Sequence, residues 1–293
     1  MDGVVDSQVH IWAPGAADPS RDPSGAGVTG ERTIRLLDGA GVGAAVLVSP
    51  SSVYGFDSSY ALDVAGRHPE RFRVVGPVDL SAPDAVEAVD RWAADGRTIG
   101  LRLIVRDERD AALVASPSGR RVLDAIAARG VPLNVWPPGN VACVGDLARR
   151  HPDLRVVVDH TGIDFTAGGT AAVGSRLRTE GERLLGLAGL PNVAVKASGT
   201  PALSGEAYPF RDVWPWVVRI VEAFGAHRVL WGSDWTRLRN RCDYADNLTW
   251  LTDAGLFGGA DLEWLLAGAA RAVYGWPLRV AQAELVDERL EGR

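Results

Sequence analysis

The sequence predicts an α/β fold, a single-domain (β/α)8 or TIM barrel. Three observations predict it. Eight short apolar runs, most of them rich in valine, recur along the chain. Segments with helical spacing of apolar residues lie between them. The length, 293 residues, suits eight such units, because strand–helix repeats of this kind close at about 250 residues or more. A doubly wound open sheet uses the same elements, but the count of eight favours the barrel. No shift of composition and no internal repeat divides the chain, so one domain is expected over residues 1–293.

The strands are expected at Val4–Ile11, Ala44–Ser49, Arg73–Val78, Gly100–Val105, Leu133–Trp136, Val156–Asp159, Val193–Ser198 and Val229–Asp234. Short β-branched runs of this kind are typical of parallel strands buried on both faces. The clearest helix is "PDAVEAVDRWAADG", Pro83–Gly96. Its Ala85, Val86, Val89 and Trp92 fall near helical spacing, with proline at the start and glycine at the stop. "SPSGRRVLDAIAARG" stops on Gly130 in the same way, and "TIRLLDGAGV" and "VWPWVVRIVEAFGAHR" continue the series. The longer irregular pieces, Ala13–Gly30, Pro50–Asp57, Ile163–Ser175 and Gly199–Pro209, each follow a strand. In a barrel such loops build the active-site face.

Composition narrows the function. The chain is 46% hydrophobic and 23% charged, with a net charge of −6. A negative chain without a basic run lacks the cationic face that nucleic-acid binding requires. Its two cysteines, Cys143 and Cys242, are far apart and exclude a Cys-rich zinc module or a disulfide framework. The N-terminus has no basic segment followed by an apolar one, and no stretch reaches the roughly 18 apolar residues of a membrane span. A cytoplasmic protein with no membrane contact is expected.

The polar residues concentrate where the strands end. Asp6, Gln8 and His10 alternate along "VVDSQVHIW", so a regular strand would set them on one face. Arg102 lies inside the fourth strand. Asp159 and His160 close the sixth in "VVVDHTG", Lys196 and Ser198 close the seventh in "VAVKASG", and Asp234 closes the eighth in "VLWGSDWT". Each has a structural reading as well. Asp159 caps a turn, Lys196 snorkels from a buried stem, and Arg102 pairs with a carboxylate. For His68, His151 and His227, at or near helix ends, the structural reading prevails. The convergence of His10, His160 and Asp234 on one rim is what points to chemistry.

These motifs are similar to those of the amidohydrolase superfamily, in its amidohydrolase-2 branch of lactonases and aromatic-acid decarboxylases. "VVDSQVHIW" resembles a first-strand motif that usually reads Asp-x-His-x-His. "VVVDHTG", "VAVKASG", "VLWGSDWT" and the closing "AGAARAVYGW" resemble later family segments in order. The resemblance implies Asp234 as general base toward water, with His10 and His160 as electrophilic or metal-binding groups. His10, His160 and Asp234 are the metal ligands it implies if a metal is bound. Gln8 stands where the family usually has a histidine. An amide is a weaker zinc ligand than an imidazole, but it can donate N–H to a developing oxyanion. The expected cofactor is therefore either none or one divalent metal, zinc or manganese.

The expected reaction is hydrolysis of a lactone, a cyclic ester. An aromatic-acid decarboxylase is the second reading, and a metal-free barrel that binds a ligand without catalysis is the third. Arg102, Lys196, Arg237 and Arg239 form the expected carboxylate-binding set. Trp136 and Trp235, at strand ends, suit the wall of a ring pocket. The partner is then a small molecule that is anionic or yields a carboxylate, with an aromatic ring among the alternatives. A homodimer is compatible with the sequence.

Overall fold

A computed structural model describes residues 3–17, 22–164 and 170–276. Eight parallel strands run in the order β1 to β8, each beside the next in sequence. They are β1 (Val4–Val9), β2 (Val42–Val48), β3 (Phe72–Pro77), β4 (Thr98–Ile104), β5 (Leu133–Trp136), β6 (Val156–Val158), β7 (Val193–Ser198) and β8 (Val229–Gly232). Helices pack outside them, as the alternating pattern predicts. Those expected from spacing form at Ala85–Ala94, Pro117–Ala128, Gly30–Gly39 and Trp214–Phe224. Part of the expected loop Ile163–Ser175 lies outside the described residues.

Six of the eight strands end earlier than expected, β2, β3, β4 and β6 by one residue and β1 and β8 by two. β1 stops at Val9, β6 at Val158 and β8 at Gly232. The polar residues that follow leave the sheet at once. His160 and Thr161 both have φ 54°, and Asp234 has φ 45°. Such left-handed backbone is uncommon for residues with a Cβ and costs about 1–3 kcal/mol each. It turns these side chains over the carboxyl-terminal mouth of the barrel instead of along its wall.

β8 and β1 meet through a seam of side-chain and main-chain bonds. Ser7 Oγ donates to the Trp231 carbonyl at 2.6 Å. The Ser233 N–H donates to Asp6 Oδ1 at 2.8 Å, and the Asp234 N–H donates to the Gln8 carbonyl at 2.9 Å. Gly232 makes this close approach feasible. A Cβ there would lie 2.8 Å from Ser7 Oγ, 2.9 Å from Gln8 Cβ and 3.0 Å from Ser198 Cβ.

Apolar residues such as Val5, Val46, Val75 and Leu230 form one buried cluster with residues of the last described helix, Ala269–Tyr274. That helix closes the amino-terminal end of the barrel. Arg271 Nη2 donates to the Gly3 carbonyl at 3.1 Å, and Arg155 Nη1 donates to that of Ala272 at 3.2 Å. Tyr274 exchanges hydrogen bonds with the buried Asn134 side chain of β5 at 3.0 and 3.1 Å. A larger layer of apolar side chains packs the helices onto the outside of the strands. Among the described residues no helix is long and apolar enough to cross a membrane.

Candidate active site

The expected row of Asp6, Gln8 and His10 divides into a brace and a contacting pair. The pairing of β1 with β2 shifts register between Asp6 and Val9, so strict alternation does not hold there. Asp6 accepts from the Gln8 N–H at 3.0 Å, from Ser233 and, at 2.9 Å, from the Tyr244 hydroxyl. It therefore fixes the seam. Gln8 and His10 meet instead at 3.4 Å, amide nitrogen to Nε2.

Lys196 decides how the Gln8 amide is oriented. Its Nζ lies 2.7 Å from Gln8 Oε1. An ammonium only donates, so the amide oxygen must face it and the NH2 must face His10. His10 Nδ1 donates to the Val48 carbonyl at 2.6 Å, which leaves Nε2 with its lone pair toward that NH2 and toward Asp234 Oδ1, 3.5 Å away. Burial, with Arg102 and Arg237 adding positive charge, holds the His10 imidazole well below its usual pKa. It is neutral at pH 7.

His160 sits on the other side of Asp234. Its Nδ1 is 2.9 Å from Ser198 Oγ and 3.8 Å from Asp234 Oδ2. Trp136 packs edge-on against its ring at 5.7 Å. Burial lowers the imidazole pKa to about 3 despite the opposing charge of Asp159. The Arg237 guanidinium approaches Asp234 Oδ2 at 3.5 Å and lies 5.5 Å from the Trp136 ring centre.

Asp234 is fully buried, and neither carboxylate oxygen has a hydrogen-bond partner. Burial raises its pKa to about 7, with Arg237 and Arg102 opposing the rise. A carboxyl poised near neutrality, with open lone pairs between two neutral imidazoles, can hold a water and take its proton.

Beneath this cluster lies an ion-paired layer. Asp159, which the sequence also allowed as a turn cap, accepts from Arg102 Nε at 2.8 Å and pairs with Lys196 Nζ at 3.2 Å. Burial alone would raise its carboxyl; Lys196 and Arg102 overcome that and hold it well below the carboxylate range. Lys196 is wholly buried, and burial lowers its own pKa, partly offset by Asp159. The expectation that Lys196 binds substrate is therefore revised: its ammonium already serves Gln8 and Asp159. Arg102 makes the structural ion pair that the sequence also allowed, yet its Nη2 has no hydrogen-bond partner.

The loop after β8 delivers one guanidinium rather than several. Arg237 reaches Asp234. Arg239 instead lies over the rings of Trp12 and Trp235, with its Nε on the Thr236 carbonyl, and Arg241 binds the Ser204 carbonyl. Trp235 packs against Tyr244 at 6.5 Å, so of the two expected ring walls only Trp136 is at the cluster. Ser198, Asn134 and Tyr274 were not assigned roles from the sequence. Asn134 carried a signal, as a lone amide within the apolar run "LNVW".

Residues 5–276 match the amidohydrolase family model. The chain belongs to the amidohydrolase family. Among its relatives is an L-fucono-1,5-lactonase of Burkholderia ambifaria, 30% identical over 253 residues, covering 84% of this chain and 85% of the relative. A 2-pyrone-4,6-dicarboxylate hydrolase of Comamonas testosteroni is 27% identical over 248 residues, covering 80% and 76% respectively. An amidohydrolase from Burkholderia multivorans, solved with bound zinc, superimposes with a TM-score of 0.77 at 22% identity, over 94% of this chain and 100% of that one. This last likeness establishes the amidohydrolase's barrel fold, and the zinc is that protein's.

The side chains of this chain do not fit a resident divalent cation. Among the described residues no group of three or more His, Cys, Asp or Glu side chains is arranged to hold a metal ion, although His10 and His160 both approach Asp234. The Gln8 oxygen is held by Lys196, so the atom facing His10 Nε2 is an NH2 group, which is not a ligand. The guanidinium of Arg237 stands at Asp234, where a cation would have to share the carboxylate.

Proposed function

We propose that this amidohydrolase hydrolyses a lactone, with Asp234 as the general base and no metal in the chemical step. Two of its relatives act, by name, on a sugar lactone and on a pyrone, both cyclic esters. The observation that carries the reading is Asp234 itself: wholly buried, without a hydrogen-bond partner on either oxygen, and with its pKa raised to about 7.

In this mechanism a water held by Asp234 attacks the lactone carbonyl carbon as its proton passes to the carboxylate. The carbonyl oxygen gains negative charge, and the Gln8 NH2 and the Arg237 guanidinium stabilise it. Such donors act strongly in a buried site because they are already oriented. Lys196 keeps the Gln8 NH2 turned into the site. When the ring C–O bond breaks, the proton held on Asp234 passes to the departing alkoxide oxygen. The product is an open-chain hydroxy acid, whose carboxylate faces Arg237.

The test is a panel of five- and six-membered lactones, assayed with wild type and Asp234→Asn alongside metal analysis of the purified protein. Hydrolysis by the wild type should survive chelation, and the variant should lose about 10²–10⁴-fold in kcat. Unchanged hydrolysis by Asp234→Asn would remove the base. One tightly held zinc per chain would overturn the metal-free mechanism, and CO2 release from an aromatic acid without lactone turnover would replace the reaction.

A further inference from the structure

A cavity of about 290 Å³ opens over the carboxyl-terminal ends of β2, β3 and β4 and is lined in part by Arg102 of the ion-paired layer. We propose that it is the part of the substrate site that receives an uncharged, apolar arm carried by the lactone ring. The proposal rests on the lactonase reading above.

Three features argue for it. The walls are mostly apolar, with Val78, Leu80, Leu113 and Val114 lining the cavity. Phe56, on the loop after β2, also lines it and is 60% exposed. A large ring left in solvent at a cavity mouth becomes useful when a ligand covers it.

The second feature is Arg102, which lines the cavity and also belongs to the ion-paired layer. It is only 5% exposed, and its Nη2 has no hydrogen-bond partner. A buried donor left unsatisfied is rare in folded proteins, and Arg102 ties the cavity to the ion-paired layer. A substrate with an acceptor oxygen at Arg102 and an apolar arm beyond it would occupy both features at once.

The third is charge. The cavity is lined by two carboxylates, Asp79 and Asp110, and by one other guanidinium, Arg106. That balance disfavours a second anionic group on the arm. Hydroxyls set against Val78, Leu80, Leu113 and Val114 would lose water without gaining a partner there. The arm is therefore hydrocarbon, alkyl or aryl.

The experiment uses γ- or δ-lactones bearing n-alkyl arms from methyl to octyl on the ring, assayed with the full-length protein. In the wild type, kcat/KM should rise about fourfold per methylene until the cavity is filled. Val114→Trp, which fills it, and Phe56→Ala, which shortens its wall, should each flatten that rise. Thermal unfolding of each variant establishes that it folds, and Phe56, being exposed, provides a second variant should Val114→Trp fail. A flat series in a wild type that still hydrolyses the methyl lactone overturns the cavity assignment and leaves the hydrolase reading standing. A rise that persists undiminished in both variants also overturns it. If no lactone in the series is hydrolysed, the function and the cavity assignment fall together.

Discussion

At the residue scale the chemistry gathers on Asp234. Its folded pKa, about 7, lies well above the 3.8 of an ordinary carboxyl, and this has two consequences of opposite sign. For catalysis, the base is active only when ionised, so kcat/KM should rise through about pH 7 to a plateau and should not rise in Asp234→Asn. A wild-type profile already flat from pH 5 upward would exclude the buried carboxyl as base. For stability, the raised pKa means that the fold prefers the protonated form. The group's contribution is fully present below pH 3.8 and is lost as pH rises to about 7. Asp234→Asn should therefore be more stable than wild type at pH 8 by roughly 2–4 kcal/mol, seen as a higher melting temperature, with the difference shrinking toward pH 4. A lower melting temperature at pH 8 would contradict this. The sequence pointed to Asp234, His10 and His160 through their places after apolar strands. It could not show that Lys196 and Arg102 converge on Asp159, because which buried charges meet depends on the register of three strands that are distant in the chain.

At the scale of elements, the seam between β8 and β1 controls the site. Gly232 is the position where three strands come closest, and Gly232→Ala should destabilise the protein by about 1–3 kcal/mol. Activity should fall further than stability alone implies, because the added methyl presses on Gln8 Cβ and moves its NH2. Chemical denaturation and steady-state kinetics on one preparation would separate the two effects; wild-type values in both would show that the seam has slack. The strands were legible because buried parallel strands are short, valine-rich and bounded by turn residues. Their ends were less so. The apolar run continues through Ile11, yet β1 ends at Val9, and the residues of interest begin where hydrogen bonding to the sheet stops. Hydrophobic pattern does not report that change.

At the scale of the whole molecule, the barrel is closed at one end and carries the candidate site at the other. The last described helix closes the amino-terminal end and sends Tyr274 inward to Asn134, with its ring 5.8 Å from Lys196 Nζ. Tyr274→Phe would leave the wholly buried Asn134 amide without that partner and should destabilise the fold by about 1–3 kcal/mol. Equilibrium unfolding would measure the loss, and an unchanged midpoint would mean that a water replaces the hydroxyl. The overall architecture was legible from the count and order of the apolar runs. The contrast between a chain of net charge −6 and a mouth holding Arg102 and Arg237 was visible only in part, since Arg239 and Arg241 look equivalent to Arg237 until the loop is folded.

The seam also sets a temporal order. Gln8 belongs to the first strand and Asp234 follows the last, and the backbone bond that joins them spans most of the chain. During synthesis, the proposed oxyanion donor emerges long before the proposed base. The two halves of the reaction centre meet only when β8 docks against β1, so no partly built barrel holds a working pair. Turnover in this protein reports completed closure, and a refolding chain should regain catalysis no earlier than it regains the contact between its first and last strands.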